Sequence, residues 1–339
     1  MEKTRFGKTE LMVSKAAFGG IPIMRLNKED AVRLIKETIN LGINFIDTAH
    51  GYADSEEKIG EGIRGMKRED IIIATKSPAD DRKTFNEHLE LSLKRLGTDY
   101  IDIMQLHNIG SAGKRDKVFA SGGAYEGLQE AVKAGKVRFP GFSSHSNELC
   151  LETMKTGKFD VVQFPFNFID DAAAKEIIPL AKEMDLGFIA MKPMGGGKLD
   201  NARLSFRYLM QFDSIVPDPG IEKIEEIREI TDIISSKCTI TEDDKMEIEK
   251  LRAEYGGVWC HRCDYCQPCP QGIDISWVLS TESCEKRFTL ERFKLMLGQP
   301  IERARTCLEC GRCKERCPYR LDIPALLKEN IKHWEKVTG

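Results

Sequence analysis

The chain has 339 residues, 41% of them hydrophobic, and a formal net charge of −3 at pH 7. This composition allows a substantial core and excludes global disorder, and the charge balance gives no support for nucleic-acid binding or for a basic membrane-binding patch. The first residues, MEKTRFGKTELMVSK, lack an apolar signal region, and no apolar run approaches the roughly 18 residues that cross a bilayer, so we expect a cytoplasmic protein with no membrane partner.

Apolar segments alternate with helical patterns through the first two-thirds of the chain. The segments are continuous apolar runs, as in strands covered by helices, and the helical patterns carry apolar residues at three- and four-residue spacing. Gly42, Gly97 and Gly187 stand at helix ends, where they suit a left-handed cap. The predicted strands are 16–20, 43–49, 70–76, 100–107, 137–143, 160–167, 187–193 and 213–220, and the helices that follow them are 28–42, 55–65, 85–97, 124–136, 147–158, 172–187, 202–212 and 221–235.

These alternating units predict an α/β fold, a (β/α)8 TIM barrel over residues 1–240, because eight units in about 220 residues fit that architecture. A doubly wound open sheet is the alternative. Such sheets use fewer units and often carry G-x-G-x-x-G after the first strand. That fingerprint is absent from the sequence, which favours the barrel.

Ionisable residues stand at the ends of three adjacent strands. Asp47 ends the second strand, Tyr52 lies in the loop after it, and Lys76 and His107 end the third and fourth strands. Because active sites of such barrels lie at the carboxyl ends of the strands, we expect these side chains to converge. A Lys ammonium lowers the pKa of a nearby Tyr phenol, an Asp keeps the Lys charged, and a His can hydrogen-bond a carbonyl oxygen.

Each of these four residues also has an ordinary structural explanation, which is the better one for any of them taken singly. Asp47 could cap a helix, Tyr52 could form an amphipathic wall, Lys76 could be a solvated strand end and His107 a core histidine. Their joint occurrence at consecutive strand ends favours one shared site. Such a site would protonate a carbonyl oxygen that receives hydride, or deprotonate an alcohol in the reverse direction.

The motifs around these residues resemble the aldo-keto reductase family over about residues 4–235. DTAHGYADSE matches the family's D-T-A-x-x-Y-x-x-S-E motif, IATKS and IDIMQLH match its Lys and His strands, and RFGKTELMVSKAAFGG, VRFPGFSSHS, VVQFPFN and IAMKPMGGG match its opening hairpin and further strands. The resemblance implies a catalytic tetrad of Asp47, Tyr52, Lys76 and His107. It also implies a nicotinamide cofactor, usually NADP(H), bound without a Rossmann domain, with NAD(H) as the alternative.

The resemblance further implies a set of cofactor contacts. Ser143 and Gln163 stand where the family positions the nicotinamide amide, Ser144 replaces a usual Asn, and Met191 stands where many members stack an aromatic ring on the nicotinamide. A thioether can cover a ring face. The implied cofactor-binding residues are Gly20, Asp47, Ser143, Ser144, Gln163, Met191, Lys192, Gly220 and Lys223.

The segment PGIEKIEEIREI (219–230) looks like the family's binding segment for the adenosine phosphate. Gly220 opens a helix, which suits an anion, and Lys223 offers the local positive charge. Glu222 stands where a small hydroxyl residue is common, and Ile230 replaces a usual Asn. An ordinary amphipathic outer helix is the alternative for this segment.

Cysteines concentrate near the C-terminus, where nine of the 11 lie between residues 260 and 317. A capped, charged helix is predicted at 241–255, within a linker over 241–259. Two similar motifs follow: Cys260, Cys263, Cys266 and Cys269 before a Pro, and Cys307, Cys310, Cys313 and Cys317 before a Pro.

The second cysteine motif has the C-x₂-C-x₂-C-x₃-C-P spacing of bacterial ferredoxins, and the first is one residue shorter before its last Cys. We predict two [4Fe–4S] clusters with crossed ligation, in which the fourth Cys of each motif binds the other motif's cluster. A structural zinc module is the alternative. The intervening residues look helical, so residues 260–339 resemble α-helical ferredoxin-type dicluster domains, and Cys150, Cys238 and Cys284 are expected to be small buried residues.

Together these features predict an NAD(P)H-dependent oxidoreductase that reduces an aldehyde or ketone to an alcohol, or performs the reverse reaction. The clusters would relay electrons to or from a redox partner protein, and the other partner would be a small carbonyl or alcohol substrate. The alternative is a non-catalytic redox-sensing or electron-transfer docking protein that keeps a nicotinamide-binding barrel.

Overall fold

The computed structural model describes residues 1–237 and 239–339, so Cys238 lies outside the described residues. The chain divides into two compact units. The first, the barrel unit, comprises Met1–Met194 and Asp200–Ile240. The second, the cysteine-rich unit, comprises Gly195–Leu199 and Thr241–Gly339. The helix predicted within the linker is grouped with the cysteine-rich unit.

The barrel unit contains a short hairpin and a parallel sheet. Its strands are β1 (Lys3–Arg5), β2 (Met12–Ser14), β3 (Phe18–Gly19), β4 (Phe45–Asp47), β5 (Ile72–Ser77), β6 (Ile101–Leu106), β7 (Val137–Ser143), β8 (Val161–Pro165), β9 (Gly187–Met191) and β10 (Ile215–Asp218).

Strands β3 to β10 pair with their sequence neighbours, all in parallel, in one eight-stranded sheet. The sheet is brought back on itself by backbone hydrogen bonds of 2.8 Å from the N–H groups of Ala17 and Gly19 to the carbonyls of Pro217 and Pro219. The predicted (β/α)8 barrel is therefore confirmed, and its strand ends meet around one mouth.

Helices connect the strands on the outside of the barrel. They are α1 (Lys28–Asn40), α2 (Ser55–Gly62), α3 (Arg82–Leu96), α4 (Ala112–Phe119), α5 (Ala124–Lys133), α6 (Asn147–Lys155), α7 (Ile177–Glu183), α8 (Ala202–Leu209) and α9 (Ile224–Ser235). Helix α1 shows why they form: Asn27 caps its first turn by accepting from the N–H of Asp30, and Ala31, Leu34 and Ile35 are buried on one face. Helix α4 was not predicted.

The N-terminal hairpin fills one end of the barrel. Phe6, Leu11 and Val13 join a buried apolar cluster with inward-facing strand residues such as Phe45 and Ile103. This packing closes the amino-terminal end of the strands. The carboxyl ends of the strands form the opposite end, where the polar strand-end residues lie.

Two of the predicted glycine caps are confirmed and one is wrong. Gly42 and Gly97 have φ values of 88° and 64°, which is the left-handed region. Gly187 instead begins β9, and the left-handed residue near this helix end is Asp185, with φ 52°. A Cβ at Gly187 would lie 2.4 Å from the ring of Phe6, so the glycine is required by close packing against the hairpin.

The cysteine-rich unit is helical, as predicted. Its helices are α10 (Glu242–Tyr255), α11 (Ile275–Val278), α12 (Thr281–Glu285), α13 (Leu290–Ala304), α14 (Arg312–Arg316) and α15 (Ile323–Thr338). Its small core includes Phe293 and Trp334, whose ring centroids are 4.8 Å apart. Within this unit, Ser283 donates to the carbonyl of Gly196 at 3.0 Å, which helps to hold 195–199 in place. None of the helices in the described part of the chain combines the length and the apolar composition of a membrane-spanning segment.

Candidate functional site

Asp47 and Lys76 form a buried ion pair at the carboxyl ends of β4 and β5. Lys76 is 2% exposed and Asp47 is 3% exposed. The ammonium of Lys76 contacts the carboxylate of Asp47 and also donates to the backbone carbonyl of Thr48 at 2.6 Å. Lys76 is therefore not a solvated strand end. Asp47 does not cap helix α2 either, because the residue before that helix is Asp54.

The charge of Lys76 is maintained by its neighbours. Burial alone lowers the pKa of a lysine, but the carboxylate of the nearby Asp47 raises the pKa of Lys76 above its ordinary value. The residue is consequently an ammonium ion at neutral pH. Its position is fixed because both of its hydrogen-bond acceptors belong to the end of β4 and the residue that follows it.

Tyr52 and His107 lie next to this pair. The ammonium nitrogen of Lys76 is 5.3 Å from the centroid of the Tyr52 ring, and the ring of His107 meets that of Tyr52 edge to face at a centroid distance of 6.0 Å. Burial, reinforced by Lys76 and Lys114, lowers the pKa of His107 to about 3. His107 is thus a neutral imidazole, and the structure brings all four predicted tetrad residues together.

Three further polar side chains lie close to the four predicted residues, and the sequence did not identify them as site residues. Gln105 on β6 approaches Asp47 with its amide nitrogen at 3.5 Å, and Asp218 ends β10 within the same buried cluster. Lys114, on the unpredicted helix α4, donates to the carbonyl of His107 at 2.7 Å. Asp218 obeys the same rule that identified Asp47, an acid ending an apolar strand, but the predicted strand was carried past it to residue 220.

Gln163, expected to hold the nicotinamide amide, bridges two carboxyl groups. Its amide nitrogen lies 3.4 Å from Asp47 Oδ2 and 3.1 Å from Asp218 Oδ2. Its amide oxygen is buried and has no hydrogen-bond partner among the described residues. A carboxamide N–H of a nicotinamide would suit that oxygen, so the side chain fits the cofactor as an acceptor.

Ser143 and Ser144 both bind the loop that follows β6. The Ser143 hydroxyl accepts from the N–H of Asn108 at 2.8 Å, and the Ser144 hydroxyl donates to the carbonyl of Ile109 at 2.8 Å. Both serines are buried. They fix the strand end beside the mouth, and their contact with a cofactor stays a prediction.

Gly20, Met191 and Lys192 also lie at strand ends around the mouth. The N–H of Gly20 donates to the carbonyl of Asp47 at 2.7 Å, and a Cβ there would lie 3.0 Å from that oxygen. Met191 ends β9, and Lys192 follows it with φ 57° and its ammonium 3.1 Å from His145 Nε2. Gly20 therefore packs against β4, and Met191 and Lys192 lie where the next loop leaves the barrel.

In the predicted phosphate-binding segment, a glutamate of the segment itself binds the backbone N–H groups at the start of the helix. Lys223 precedes helix α9 and is exposed, and Gly220 is exposed before it. The carboxylate of Glu226 accepts from the backbone N–H groups of Glu222 at 2.8 Å and Lys223 at 3.0 Å. These are N–H groups that a bound phosphate would need, so an anion here competes with Glu226.

Cysteines of the two motifs approach one another. Burial, with the thiols of Cys307 and Cys269 adding to it, raises the pKa of Cys313. Burial, with the thiol of Cys317 adding to it, raises the pKa of Cys263. Cys269 of the first motif therefore lies near Cys313 of the second, and Cys317 of the second lies near Cys263 of the first.

A cavity in the cysteine-rich unit is lined by five of these thiols. They are Cys266, Cys269, Cys307, Cys310 and Cys313. A cavity walled by cysteines from both motifs fits an iron–sulfur cluster, because such clusters are held by thiolates. Among the described residues, no three His, Cys, Asp or Glu side chains are placed to ligate a single metal ion.

The remaining described cysteines, Cys150 and Cys284, are fully buried, as expected. Cys150 lies in the core of the barrel unit, where burial raises the pKa of its thiol. Cys284 lies within hydrogen-bond reach of the Ser280 hydroxyl, at 3.6 Å. Neither belongs to the thiol-lined cavity.

Comparisons with family models assign the two units separately. The model described as "Aldo/keto reductase family" matches residues 15–229, and the model described as "4Fe-4S dicluster domain" matches residues 259–322.

Curated relatives match about 60% of the chain. The "Uncharacterized oxidoreductase YrpG" of Bacillus subtilis is 30% identical over 233 residues, which cover 60% of this chain and 70% of the relative. The L-galactose dehydrogenase of Arabidopsis thaliana is 30% identical over 221 residues, covering 59% of this chain and 67% of the relative. The NADH-specific methylglyoxal reductase of Escherichia coli is 28% identical over 228 residues, covering 59% and 69%.

Solved structures share the barrel fold. The holo form of aldo-keto reductase AKR11C1 from Bacillus halodurans superposes with a TM-score of 0.64 at 23% identity and covers 74% of this chain and 96% of its own. An aldo-keto reductase from Klebsiella pneumoniae in complex with NADP and acetate superposes with a TM-score of 0.63 at 20% identity, covering 74% and 95%.

Proposed function

Because the chain belongs to the aldo/keto reductase family and carries a 4Fe-4S dicluster domain at its C-terminus, we propose that it reduces an aldehyde or ketone to an alcohol with a nicotinamide cofactor, or catalyses the reverse. The observation that carries this proposal is the convergence of Asp47, Tyr52, Lys76 and His107 at one end of the barrel. Family membership makes the chain an oxidoreductase, and these four side chains supply the proton chemistry that carbonyl reduction requires.

Tyr52 is the proton donor in this proposal. Its hydroxyl gives a proton to the carbonyl oxygen as the carbonyl carbon is reduced, and the Lys76 ammonium, 5.3 Å from the ring centroid, stabilises the phenolate that remains. Asp47 holds Lys76 in place and keeps it charged. A bound nicotinamide would supply the hydride.

His107 orients the substrate in this proposal. Because its pKa is lowered to about 3, the imidazole is neutral at physiological pH and can donate one N–H to the carbonyl oxygen without adding a charge. A cationic imidazole beside Lys76 would repel it. Burial therefore suits His107 to hydrogen bonding and leaves the proton transfer to Tyr52.

We propose NADP(H) as the cofactor, with NAD(H) accepted at a modest disadvantage. The Klebsiella pneumoniae neighbour was solved with NADP, whereas the Escherichia coli relative is NADH-specific. Lys223 favours the additional phosphate of NADP(H), and Glu226 opposes it. Opposing charges of this kind predict a preference of about tenfold or less, or about 1.4 kcal/mol.

The test is an anaerobic assay of NADPH and NADH oxidation across a panel of small aldehydes and ketones. Saturable oxidation with at least one carbonyl compound, and formation of the matching alcohol, supports the proposal. Nicotinamide binding without turnover of any compound would instead favour the sensing or docking alternative.

For the cysteine-rich unit we propose two [4Fe–4S] clusters with crossed ligation. One is held by Cys260, Cys263, Cys266 and Cys317, and the other by Cys307, Cys310, Cys313 and Cys269. The approach of Cys317 to Cys263 and of Cys269 to Cys313 supports this pairing, and the dicluster match favours iron–sulfur over zinc. Iron and sulfide analysis with EPR on anaerobically purified protein tests it.

We further propose that the clusters exchange electrons with a redox partner protein. Bound clusters would carry single electrons, whereas nicotinamides move two electrons as hydride, so direct exchange between them requires a splitter such as a flavin. Rapid mixing with NADPH under anaerobic conditions tests the coupling: bleaching of the cluster absorbance supports it. Reductase activity without any bleaching would leave the clusters a structural role. Cytoplasmic placement stays a prediction.

A further inference from the structure

Asp218 is a second carboxyl group within the buried cluster of Asp47 and Lys76, and the tetrad does not include it. It ends β10 and is 8% exposed. Its Oδ2 accepts from Gln163, whose amide nitrogen also reaches Asp47. One amide therefore joins the two carboxyl groups. The other oxygen of Asp218, Oδ1, is buried and has no hydrogen-bond partner among the described residues.

The side chain of Asp218 is surrounded by residues from the neighbouring strands. Beside β10, strand β3 contributes Gly19, where a Cβ would lie 3.0 Å from Oδ1, and β9 contributes Met191 in register. Gln163 comes from β8. The charged groups that face Asp218 are Asp47 on β4 and Lys76 on β5.

The charges in this cluster do not balance if both acids ionise. Lys76 supplies one positive charge, and its direct hydrogen bonds go to Asp47 and Thr48. A second buried carboxylate without a counter-charge is strongly unfavourable, and two carboxyl groups that share a site cannot both ionise readily. Asp218 is the acid without a direct bond to the ammonium. Consistently, burial, together with the charge of Asp47, raises the pKa of Asp218 well above its ordinary value.

We propose that Asp218 is a protonated carboxyl group in the working enzyme, a positioning residue that keeps the Asp47–Lys76 pair charge-balanced and fixes the amide of Gln163. In the resting protein Asp47 is the carboxylate that pairs with Lys76, and removing Asp47 would let Asp218 ionise beside Lys76 in its place. The fixed amide leaves the Gln163 oxygen free to accept from a nicotinamide carboxamide. This role rests on the proposed function only for its effect on turnover, because the protonation itself is a property of the resting protein.

Ionisation of Asp218 would impair proton donation. A second negative charge beside Lys76 opposes formation of the Tyr52 phenolate, so carbonyl reduction slows as the pH rises through the pKa of Asp218. In Asp218→Asn no such ionisation exists. The ratio of variant kcat to wild-type kcat should therefore rise with pH, because Asp218 can ionise only in wild type.

Infrared difference spectroscopy tests the protonation without any need for activity. The spectrum of wild type minus Asp218→Asn at neutral pH should show the C=O band of a protonated carboxylic acid. Wild type minus Asp47→Asn should show the same band, because Asp218 then ionises beside Lys76. Asp102→Asn is the matched control: Asp102 is 1% exposed and pairs with Arg68 and Arg138, so its replacement should leave the acid band unchanged.

A carboxylate band in place of the acid band for Asp218→Asn would overturn the proposal, as would an acid band that persists in Asp47→Asn. If Asp218→Asn does not fold, the Asp47→Asn spectrum alone decides the matter. Absence of carbonyl reduction in wild type would refute the proposed function and leave the infrared result standing, so the two failures are distinguishable.

Discussion

The two units bury reactive groups in opposite ways. In the barrel unit, the ammonium of Lys76 meets a carboxylate and a backbone carbonyl that the strand register places beside it. In the cysteine-rich unit, thiols mainly face other thiols: burial raises the pKa of Cys266 to about 12, and the neighbouring cysteines of its motif add to the effect. The polypeptide completes the first site by itself, whereas the second requires a metal cluster to supply the opposite charge.

The difference follows from backbone geometry. Strand ends in a parallel barrel are ordered by sheet hydrogen bonds, so a side chain at the end of β5 has little freedom. The cysteine loops instead contain non-glycine residues with positive φ, such as Arg262 at 57° and Glu309 at 51°. Such residues are costly unless their surroundings hold them. We infer that cluster binding stabilises these loops.

Removal of iron is expected to give the largest difference in stability between the two units. Anaerobic treatment with a strong chelator should unfold the cysteine-rich unit, because metal binding in small domains contributes on the order of 10 kcal/mol. Hydrogen-exchange mass spectrometry should show lost protection in peptides from 241–339 and unchanged protection in strands β3 to β10. Equal loss in both units, or none in either, would contradict the contrast.

Loss of one cross-motif ligand sharpens the comparison within the cysteine-rich unit. Cys317→Ser should remove or convert the cluster held by Cys260, Cys263 and Cys266, lowering the iron content from about eight to about four atoms per chain. Cys284→Ser is the control and should keep full iron content, since Cys284 is buried apart from the thiol-lined cavity. Unchanged iron in Cys317→Ser would rule out the crossed assignment.

Replacement of the buried lysine tests the self-contained barrel site. Lys76→Met leaves the Asp47 carboxylate buried without its partner, which typically costs about 3–5 kcal/mol of unfolding free energy, and it removes the stabilising charge for Tyr52, so kcat should fall about 10²–10⁴-fold. Lys58 offers a matched control. It is 4% exposed and bonded to the carbonyls of Ile23 and Leu26, so Lys58→Met should lose stability but keep kcat within about threefold. Equal losses of kcat would remove the special role of Lys76.

The smallest effect concerns the pH dependence of barrel stability. The folded-state pKa of His107 is depressed to about 3, so between that value and the ordinary 6.5 the unfolded chain binds a proton that the folded chain does not. Stability is therefore lost as the pH falls through this window. Relative to His107→Gln, wild type should lose about 1 kcal/mol between pH 7.5 and pH 5.5, measured by urea unfolding of the barrel transition. A difference that does not vary with pH would show that His107 titrates normally.

The sequence allowed the barrel and the meeting of four strand-end residues to be predicted because both follow local rules. Continuous apolar runs alternate with amphipathic helices, and an ionisable residue at a strand end can be read directly, as with Lys76 and His107. Asp218 follows the same rule, but the predicted strand extends to residue 220, so Asp218 does not stand at its end. Helix α4 could not be predicted because Val118 is the one buried residue among its eight, so its sequence carries no periodic apolar pattern.

The features that the sequence did not predict depend on tertiary contacts. The need for glycine at 187 comes from the ring of Phe6, some 180 residues away in the chain, which leaves no room for a Cβ, and not from the end of the preceding helix. Cysteine spacing indicated cluster ligands, but the approach of Cys269 to Cys313 depends on how the helices between the motifs fold. Likewise, Gln163 lies between the carboxyl groups of Asp47 and Asp218 only because β4, β8 and β10 meet at the mouth of the barrel.

The most direct test of the proposed catalytic site is the substitution Tyr52→Phe, which removes one hydroxyl and keeps the ring beside Lys76 and His107. With a carbonyl substrate that wild type reduces, the variant should lose about 10³-fold in kcat while its nicotinamide affinity stays within about twofold, measured by anaerobic steady-state kinetics and fluorescence titration. Carbonyl reduction by Tyr52→Phe at the wild-type rate would contradict the assignment of Tyr52 as proton donor.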